Sequence, residues 1–437
     1  MSASSLAPAS SLSSAGRYTV LVIAFLGWLF AGTQMSLTNL VIRPAVSDML
    51  WNDAPGTTLA SEVKADREGV LGRWFGNSNI AFLLGAASGG MLFGWFGDRF
   101  GRAKAVGWSI ICFTAFSGLS SFCATPEQFV VLRYLACLGV GGMWPNGIAL
   151  VGEAWSSVSR PTLSGVIGAS ANIGLTLVAG VTMLKALAVT EENWRLCMQI
   201  SALPLPIGLF ALTLMPESPK WLAARDMPIS AGDKVPLAQI FTPPLLWFTL
   251  VGILLSTVPL FGGWGSGNWL VPWADQVVGQ ADPGFKSATQ FARALGGTIG
   301  SFVGGWIASR CGRRTSYFVM SVICLANSEY VYFLSSPEDP WFLGWVGFIG
   351  LSGGFFFGWM PLCFPEMFPT RVRSTGSGVT FNFGRITSSL GIAGASILIE
   401  AYKGDYAFVG RITSLIYLAG MVVILIAPDT SRNDLDR

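Results

Sequence analysis

Long apolar runs, separated by short charged or glycine- and proline-rich stretches, recur along the whole chain. Each run approaches the roughly 20 residues that an α-helix needs to cross the hydrocarbon core of a bilayer. The runs are continuously apolar and lack the alternation of a membrane-barrel strand, so helices are expected. We predict twelve spans, at residues 18–42, 74–96, 105–124, 128–151, 162–187, 195–214, 244–271, 286–308, 315–334, 341–362, 375–399 and 408–427.

The overall composition agrees with this pattern. Among 437 residues, 52% are hydrophobic and 12% are charged, which falls outside the range of water-soluble globular domains. Small residues recur at helical spacing, as at Gly85 and Gly89 or at Gly296, Gly300 and Gly304, and this spacing lets membrane helices pack closely. The prediction is therefore an all-α integral membrane protein whose spans form bundles.

Loop charges set the predicted orientation. Loops on the same side as the chain termini carry more Lys and Arg than the opposite loops, which are rich in Asp and Glu. The positive-inside rule then places both termini in the cytoplasm, with the spans crossing the plasma (inner) membrane of the cell. The first sixteen residues hold no basic cluster before the first long run, so we expect no cleaved signal peptide.

Several kinds of chemistry are not expected. The chain has no histidine, and its seven cysteines form no CxxC pair, so neither a metal site nor redox chemistry is predicted. An enzyme is not predicted either, because the sequence shows no nucleophile with a partnered base and no cofactor motif. We expect no cofactor and no nucleic-acid partner. The expected partners of a monomeric chain are the lipid bilayer and a small-molecule substrate.

An internal repeat divides the chain into halves. The segment GWFGDRFGRAK at residues 94–104 recurs in degenerate form as GWIASRCGRRT at residues 305–315, an offset of 211 residues. Repeated six-helix halves with a central site between them are typical of secondary transporters. We predict a cytoplasmic N-terminal tail, a six-helix bundle, a cytoplasmic central loop, a second six-helix bundle and a cytoplasmic C-terminal tail, at residues 1–17, 18–215, 216–243, 244–427 and 428–437.

Three motifs make this pattern more specific. The G-x-x-x-D-R-x-G-R-x-K stretch at 94–104 resembles the loop motif of the major facilitator superfamily, and 305–315 resembles its second copy. RYLACLGVGG at 133–142 is similar to the fourth-helix motif of that family, and PESPKWL at 216–222 is similar to the PESPRWL signature of sugar porters and related organic-ion carriers. The resemblance covers nearly the whole chain. It implies twelve helices in two pseudo-symmetric bundles that work by alternating access.

The resemblance also implies a cytoplasmic gate, because in the family this loop closes the cytoplasmic side when the transporter faces outward. Gly94 and Gly101 allow close approach and turning of the backbone. Asp98 is expected to face a base or the N-terminal amides of a neighbouring helix, an arrangement that favours an anion. In the alternative interpretation, the bases of the loop only set the topology.

A second pair of repeated segments places an acid seven residues before a base, with Glu153 before Arg160 and Glu366 before Arg373. We predict that these acids pair with Arg160 and with Arg371 or Arg373 in one state and separate from them in the other. Static surface pairs are the alternative. The predicted gating residues are Gly94, Asp98, Arg99, Gly101, Arg102, Glu153, Arg160, Glu217, Arg310, Arg313, Glu366, Arg371 and Arg373.

Arginines inside the predicted spans are the main candidates for substrate binding. Arg385 lies ten residues inside the eleventh span, and Arg293 lies about 10 Å inside the eighth by helical rise. Charges at this depth are costly and are functional candidates by default, and the planar guanidinium suits a carboxylate. Alternatively, Arg133 orients the fourth helix, and Arg293 pairs with Asp275 or Glu329 for packing.

Aromatic and amide residues complete the predicted site. The glycine-broken stretch FGGWGSGNWLVPW at 261–273 predicts a discontinuous seventh span that faces protein or a wet cavity. Its Trp264, Asn268 and Trp269 are expected to stack on and hydrogen-bond a ring, whereas Trp273 fits an interfacial aromatic belt. Intramembrane amides face the cavity or bond between helices. The predicted substrate-binding residues are Arg385, Arg293, Trp264, Asn268, Trp269, Gln34, Asn39, Asn146, Asn172, Asn382 and Arg133.

Carboxylates are missing where proton-coupled relatives commonly keep them, inside the first and fourth spans. Glu153 lies at the cytoplasmic edge of the fourth span, which leaves Glu329 of the ninth as the clearly intramembrane acid of the second half. A buried, unpaired Glu has a raised pKa and can carry a proton, so Glu329 is the predicted proton-coupling residue. Facilitated diffusion and exchange are the alternatives to proton coupling.

These features predict a secondary transporter for a small organic anion, such as an aromatic acid, a sialic acid or another sugar acid. A neutral sugar is the alternative substrate, favoured by PESPKWL and the amides and disfavoured by Arg385. A substrate sensor that no longer transports is an alternative of another class. It is favoured because Ser309 replaces the acid in the second loop copy and the usual coupling carboxylate is missing.

Overall fold

The structure is a computed structural model that describes residues 12–51, 60–155, 160–225, 236–369 and 372–428. The first six spans are α1 (Ser14–Leu50), α2 (Ser61–Phe100), α3 (Arg102–Leu119), α4 (Pro126–Ala154), α5 (Arg160–Thr182) and the broken pair α6 (Trp194–Ile200) and α7 (Leu205–Leu214). Two short helices, α8 (Pro219–Arg225) and α9 (Pro236–Ile240), lie between the halves. The exact domain boundaries stay a prediction.

The second half begins with the predicted discontinuous span. Helix α10 (Leu245–Phe261) continues through a π-helical turn at Gly262–Ser266 and a 3-10 turn at Gly267–Trp269 into α11 (Leu270–Val278). The remaining spans are α12 (Phe285–Cys311), α13 (Arg313–Leu334), α14 (Phe342–Glu366), α15 (Arg373–Ala401) and the pair α16 (Tyr406–Ser414) and α17 (Ile416–Ile426).

Not all spans are equally apolar. In the described part of the chain, nine have the length and hydropathy of a membrane helix, and α5 contributes a shorter apolar helix at Ala169–Thr182, whereas α12 and α15 are long but less apolar. Helix α5 packs on α12 and α15 packs on α2, so these three helices turn one side to the opposite half. A helix that faces protein on one side exposes less surface to lipid and needs fewer apolar residues. The predicted twelve-helix fold is confirmed.

Helices α1 and α2 extend beyond their predicted ends. The predicted loop between residues 43 and 73 is helical up to Leu50 and again from Ser61, so this prediction is wrong. Charged side chains do not stop a helix outside the hydrocarbon core, because they reach water while the backbone stays hydrogen-bonded. The extension of α2 brings Glu68 and Gly69 against Gly404 of the second half.

The internal repeat is visible in the backbone. Gly101 joins α2 to α3 with φ of +116°, and Gly312 joins α12 to α13 with φ of +85°. Residues with a Cβ rarely adopt this region. Each half therefore needs glycine at the same point of its loop motif.

Closely packed helix pairs also repeat. A Cβ at Gly89 of α2 would lie 2.0 Å from the carbonyl oxygen of Leu138 in α4. A Cβ at Gly300 of α12 would lie 2.0 Å from that of Leu351 in α14. Neither contact leaves room for a larger residue, so the small-xxx-small spacing sets the helix separation in both halves.

The apolar core differs between the two ends of the bundle. We call the end where α1 begins and α17 ends the terminal face, and the opposite end the distal face. Near the distal face one buried core joins both halves, with Val41 and Phe75 from the first and Val271 and Tyr332 from the second. Towards the terminal face, the described chain has two further cores, one almost wholly from each half. The halves are joined distally and separate towards the terminal face.

Candidate functional site

The broken seventh span brings aromatic rings of opposite halves into contact. Trp264 lies in the π-helical turn, and its ring packs against that of Phe82 in α2, with centroids 4.3 Å apart and planes inclined by 39°. A Cβ at the neighbouring Gly263 would meet open space. The contact therefore joins the two halves beside a stretch of backbone with free space, and transporters of two repeats hold their substrate between the halves.

Arg385 lies close to this aromatic contact. It is half-buried near the middle of α15, and its Nη1 donates to Asn382 Oδ1 at 3.1 Å and to the carbonyl oxygen of Ala86 at 3.4 Å. Phe82 and Ala86 are one turn apart on α2, a rise of about 6 Å, so the guanidinium bonds with α2 one turn from the phenylalanine of the aromatic contact. Its described partners, including the Phe381 ring at 4.6 Å, contain no carboxylate.

Arg133 of α4 lies against the same phenylalanine. Its guanidinium carbon is 5.4 Å from the centre of the Phe82 ring, and Nη1 donates to Gln34 Oε1 at 2.8 Å and to Thr38 Oγ1 at 3.0 Å. The residue is 2% exposed, and its Nε and Nη2 are buried without a hydrogen-bond partner in the described chain. Arg133 is thus a buried cation held by neutral groups.

Arg293 of α12 is held by an amide network that joins the halves. Its Nη2 donates to Asn268 Oδ1 at 2.8 Å, while Asn268 Nδ2 donates to Asn79 Oδ1 at 2.9 Å. Asn39 Nδ2 donates to Asn268 Oδ1 at 3.3 Å, and Arg293 also donates to Gln290 Oε1 at 3.1 Å. The alternative prediction, that an acid pairs with Arg293, is wrong, because these partners are amides.

We call Arg133, Arg293 and Arg385 the mid-depth arginines. In the described residues none of them forms an ion pair, although an unpaired charge within a membrane is costly. Each of them contacts a residue close in sequence to Phe82 or Trp264, or Phe82 itself. The arrangement therefore favours an anion between the halves.

The other predicted substrate-binding residues separate into two groups. Trp269 is fully buried between the rings of Phe75 and Tyr406. Asn146 donates from Nδ2 to the carbonyl oxygens of Phe93 and Gly142, at 2.9 Å each. Both residues hold helices together, so we no longer assign them to the substrate. Their apolar or amide character alone did not distinguish the two roles.

The second group lies in α1, α5 and α15. Gln34 bonds with Arg133 and Thr38, whereas Asn382 bonds with Arg385. Asn172 is half-buried on α5, and no bond of its side chain is described. Substrate contact by these amides stays a prediction.

A buried charge cluster that was not predicted lies at the distal face. Arg43 donates from Nη2 to Glu68 at 3.0 Å, from Nε to Asp275 at 2.9 Å and from Nη1 to the Tyr406 hydroxyl at 2.8 Å. Lys286 Nζ lies 3.3 Å from Asp275 Oδ1, and the side chains of Arg43 and Lys286 are each 6% exposed. We call these five residues the distal cluster. From the sequence, Arg43 was assigned only to a loop. Its position at the end of an apolar run could have indicated a buried charge.

At the terminal face, Glu217 occupies the position predicted for Asp98. Its carboxylate accepts from the backbone amides of Arg102 at 2.9 Å and Ala103 at 3.1 Å, at the N-terminus of α3, where the helix dipole favours an anion. The Asp98 side chain is exposed, and its carboxylate is attracted by Arg102 without a described hydrogen bond or ion pair. The backbone carbonyl of Asp98 accepts from Trp221 Nε1 at 2.8 Å. The predicted contact of Asp98 with helix amides is therefore absent from this conformation.

The acids of the predicted terminal ion pairs have described partners within their own halves, and the predicted pairs with Arg160, Arg371 or Arg373 stay a prediction. Glu153 pairs with Arg102 and accepts from Ser218 Oγ, and Glu366 forms a two-bond pair with Arg313 at 2.9 and 3.2 Å. These pairs occupy equivalent places in the two halves. The side chain of Arg160 and all of Arg371 lie outside the described residues. Arg373 Nε donates to the carbonyl oxygen of Phe368 at 3.5 Å.

The remaining predicted gating residues lie at the surface of the terminal face. Arg99 and Arg310 are exposed, with guanidinium carbons 5.8 Å from the Phe100 ring and 4.3 Å from the Trp306 ring. A Cβ at Gly94 would meet open space. A gating role for these residues stays a prediction.

Glu329 is paired, contrary to the premise for its predicted role. It accepts a hydrogen bond from Ser414 Oγ at 2.6 Å and lies 3.5 Å from Arg411 Nε, with a third of its side chain exposed. These contacts join α13 to α16 within the second half. The reason for choosing Glu329 is therefore removed, and proton coupling through it stays a prediction.

Known proteins share this architecture. A family model described as Major Facilitator Superfamily matches residues 64–392. The cis,cis-muconate transport protein of Acinetobacter baylyi is 26% identical over 341 residues, covering 75% of this chain and 79% of that protein. The sialic acid transporter NanX of Escherichia coli is 22% identical over 415 residues, covering 93% of this chain and 92% of that protein. A crystal structure of D-xylose-proton symporter has a TM-score of 0.67 at 17% identity, covering 94% of this chain and 98% of that one.

Proposed function

The chain belongs to the Major Facilitator Superfamily and is a multi-pass membrane transporter, and from this premise we propose that it carries a small organic acid whose carboxylate binds Arg385. The supporting observation is the position of Arg385, half-buried in the middle of α15 and bonded to neutral groups. Such a charge costs at least about 2.5 kcal/mol on insertion scales. A carboxylate that forms two parallel hydrogen bonds with the guanidinium would offset this cost.

The relatives support the same class of substrate. Both curated relatives are named as transporters, and muconate and sialic acid are carboxylic acids. A neutral sugar has less support from the geometry, because Asn268 already bonds with Asn39, Asn79 and Arg293. In this conformation these amides have few hydrogen-bond donors and acceptors left for sugar hydroxyls.

We propose the plasma membrane as the location, with the terminal face in the cytoplasm. The excess of Lys and Arg in the loops of that face supports this orientation. In this orientation the conformation described here is closed to the outside and faces inward. The exposed Asp98 carboxylate fits a cytoplasmic gate that has separated.

Calorimetry on the purified full-length protein tests the organic-acid proposal. A thermal-shift screen of carboxylic acids and neutral sugars selects a ligand, and binding of the acid is then compared with binding of its amide. We expect Arg385→Gln to nearly abolish binding of the acid and Arg385→Lys to weaken it at least tenfold, because lysine lacks the planar fork. Lys185→Gln, an equal change of charge at an exposed position, should bind like the wild type.

Two results would contradict the proposal. Equal binding of the acid and its amide by the wild type, unchanged by Arg385→Gln, would favour a neutral substrate. Binding without uptake into liposomes would favour the sensor alternative. Uptake of the acid that is lost in Arg385→Gln and kept in Lys185→Gln is the expected result.

A further inference from the structure

We propose that Phe82 and Trp264 form a slot that selects flat, conjugated carboxylates, with the substrate ring between the two side chains. This inference rests on the proposed function and adds the shape of the acid. We call the gap between these two rings the aromatic slot. Its members come from opposite halves, α2 and the π-helical turn after α10, so its width changes when the halves move.

In the conformation described, the aromatic slot is closed. The ring centroids are 4.3 Å apart, which is direct contact. A flat ring that stacks on both sides needs two van der Waals contacts, a separation of about 7 Å. A widening of about 3 Å between the halves would therefore admit a flat ring and exclude a thicker saturated one.

The surroundings of the slot suit a carboxylate attached to that ring. Arg385 lies one helical turn of α2 from Phe82, about 6 Å, which is also about the distance from the centre of an aromatic ring, through its carboxylate, to a hydrogen-bond donor. Arg133 lies against the Phe82 ring and has two buried nitrogens without a partner in the described chain. A substrate in the slot would thus meet aromatic faces and two cations together.

The backbone next to the slot also leaves room for a ligand. Gly263 precedes Trp264, and a Cβ there would have no neighbour within 4 Å. The carbonyl oxygen of Gly263, in the π-helical turn, accepts from Arg293 Nη1 at 3.4 Å. Trp264 therefore lies in a π-helical turn with free space beside the preceding residue, and such turns are frequent at functional sites.

Benzoate and cyclohexanecarboxylate test the proposal directly. They share charge and approximate length but differ in thickness and in π-electrons. The test compares the binding of the two acids to the purified full-length protein by calorimetry. The wild type should bind benzoate at least tenfold more tightly than cyclohexanecarboxylate. Phe82→Leu and Trp264→Leu should each lower benzoate affinity several-fold and bring the ratio close to one.

Matched variants separate ring selection from general packing. Phe75→Leu removes a buried phenylalanine of the same helix, which packs on Trp269 away from the slot, and should keep the wild-type ratio. Phe82→Tyr keeps the ring and should also keep the ratio. If Phe82→Leu fails to fold, the affinity ratio of Trp264→Leu is compared with that of the wild type instead.

The outcomes distinguish this inference from the proposed function. A wild-type ratio near one, or an equal loss of both acids in Phe82→Leu, overturns the aromatic slot. If both acids bind equally and Arg385→Gln abolishes both, transport of organic acids stands while the slot is overturned. If the wild type binds neither acid, the slot is overturned as well, and the sugar arm of the thermal-shift screen decides the fate of the proposed function.

Discussion

Charged side chains meet at both faces of the bundle, but they join different parts of the molecule. The distal cluster connects α1 and α2 of the first half with α11, α12 and α16 of the second. At the terminal face, Arg102 with Glu153 joins α3 to α4. Its counterpart, Arg313 with Glu366, joins α13 to α14. The distal contacts therefore depend on how the halves are placed, whereas each terminal pair moves with its own half.

Because its charges are buried, the distal cluster should be more sensitive to substitution than ion pairs that are exposed. Loss of one member of a buried ion pair leaves an uncompensated charge and costs about 3–5 kcal/mol. Exposed pairs also cross between the halves, but the side chains of Arg73 and Glu400 are 52% and 38% exposed. Such pairs contribute about 0–1 kcal/mol. The closed distal face should thus depend on a few buried charges.

The distance between one residue of each half at the distal face can show which charges hold the halves together. Lys185 and Glu338 are exposed at the distal face, in opposite halves. Spin labels at these two positions, in a background without the seven native cysteines, measure the separation of the halves. Thermal unfolding of the same variants measures stability separately.

The largest effect is expected for Arg43→Met. This change leaves Glu68 and Asp275 buried without the cation that lies between them, and it should disfavour the closed distal face by about 3–5 kcal/mol. The distance between the labels should increase in most molecules. An unchanged distance in a folded protein would show that the cluster does not hold the halves together.

A smaller, graded effect is expected from the two carboxylates. Asp275 contacts both Arg43 and Lys286, whereas Glu68 contacts Arg43 alone among the described cations. Asp275→Asn leaves Lys286 without its described acid, so it should separate the labels more often than Glu68→Gln. The reverse order, measured on the same label pair, would contradict this account of the cluster.

The terminal pairs should affect stability without changing the separation of the halves. Glu153→Gln and Glu366→Gln each weaken a charge-assisted contact inside one half and should lower the free energy of unfolding by about 1–3 kcal/mol. We expect lower unfolding temperatures and an unchanged label distance. A shift in distance as large as that of Arg43→Met would remove the distinction between the two faces.

The smallest effect is expected at the exposed distal pair. Arg73→Gln removes a contact that crosses between the halves but lies in water, so it should change stability by less than about 1 kcal/mol. Neither the unfolding temperature nor the label distance should move beyond experimental error. A clear opening in this variant would mean that position between the halves, and not burial, decides the contribution of a charge.

Much of the fold could be predicted because its signals are local. Twelve apolar runs give the spans, and the broken stretch around Trp264 gives the discontinuous seventh span. The loop glycines Gly101 and Gly312 appear at equivalent turns. In each case the cause lies in a few consecutive residues, either the length of an apolar run or the freedom of a glycine backbone.

The candidate site was predictable only in part. Arg385 could be singled out because a charge in an apolar run is costly wherever its partners lie. The partners could not be predicted in the same way: Glu153 pairs with Arg102, a partner that was not predicted, and the side chain of Arg160 is outside the described residues. Phe82 was missed because a phenylalanine in a span looks like any other lipid-facing or core residue until the fold places a ring against it.

The sequence alone therefore determined the membrane class, the number of spans, the repeat and the presence of cations at mid-depth. Only the tertiary structure decided which charges meet, because Arg43 and Asp275 are separated by 232 positions along the chain and only 2.9 Å in space. It also decided that Trp269 is buried packing while Trp264 contacts a ring of the opposite half. The physical reason is that hydrophobicity acts on each segment by itself, whereas ion pairs, amide networks and ring contacts depend on short distances that form only when the two halves pack.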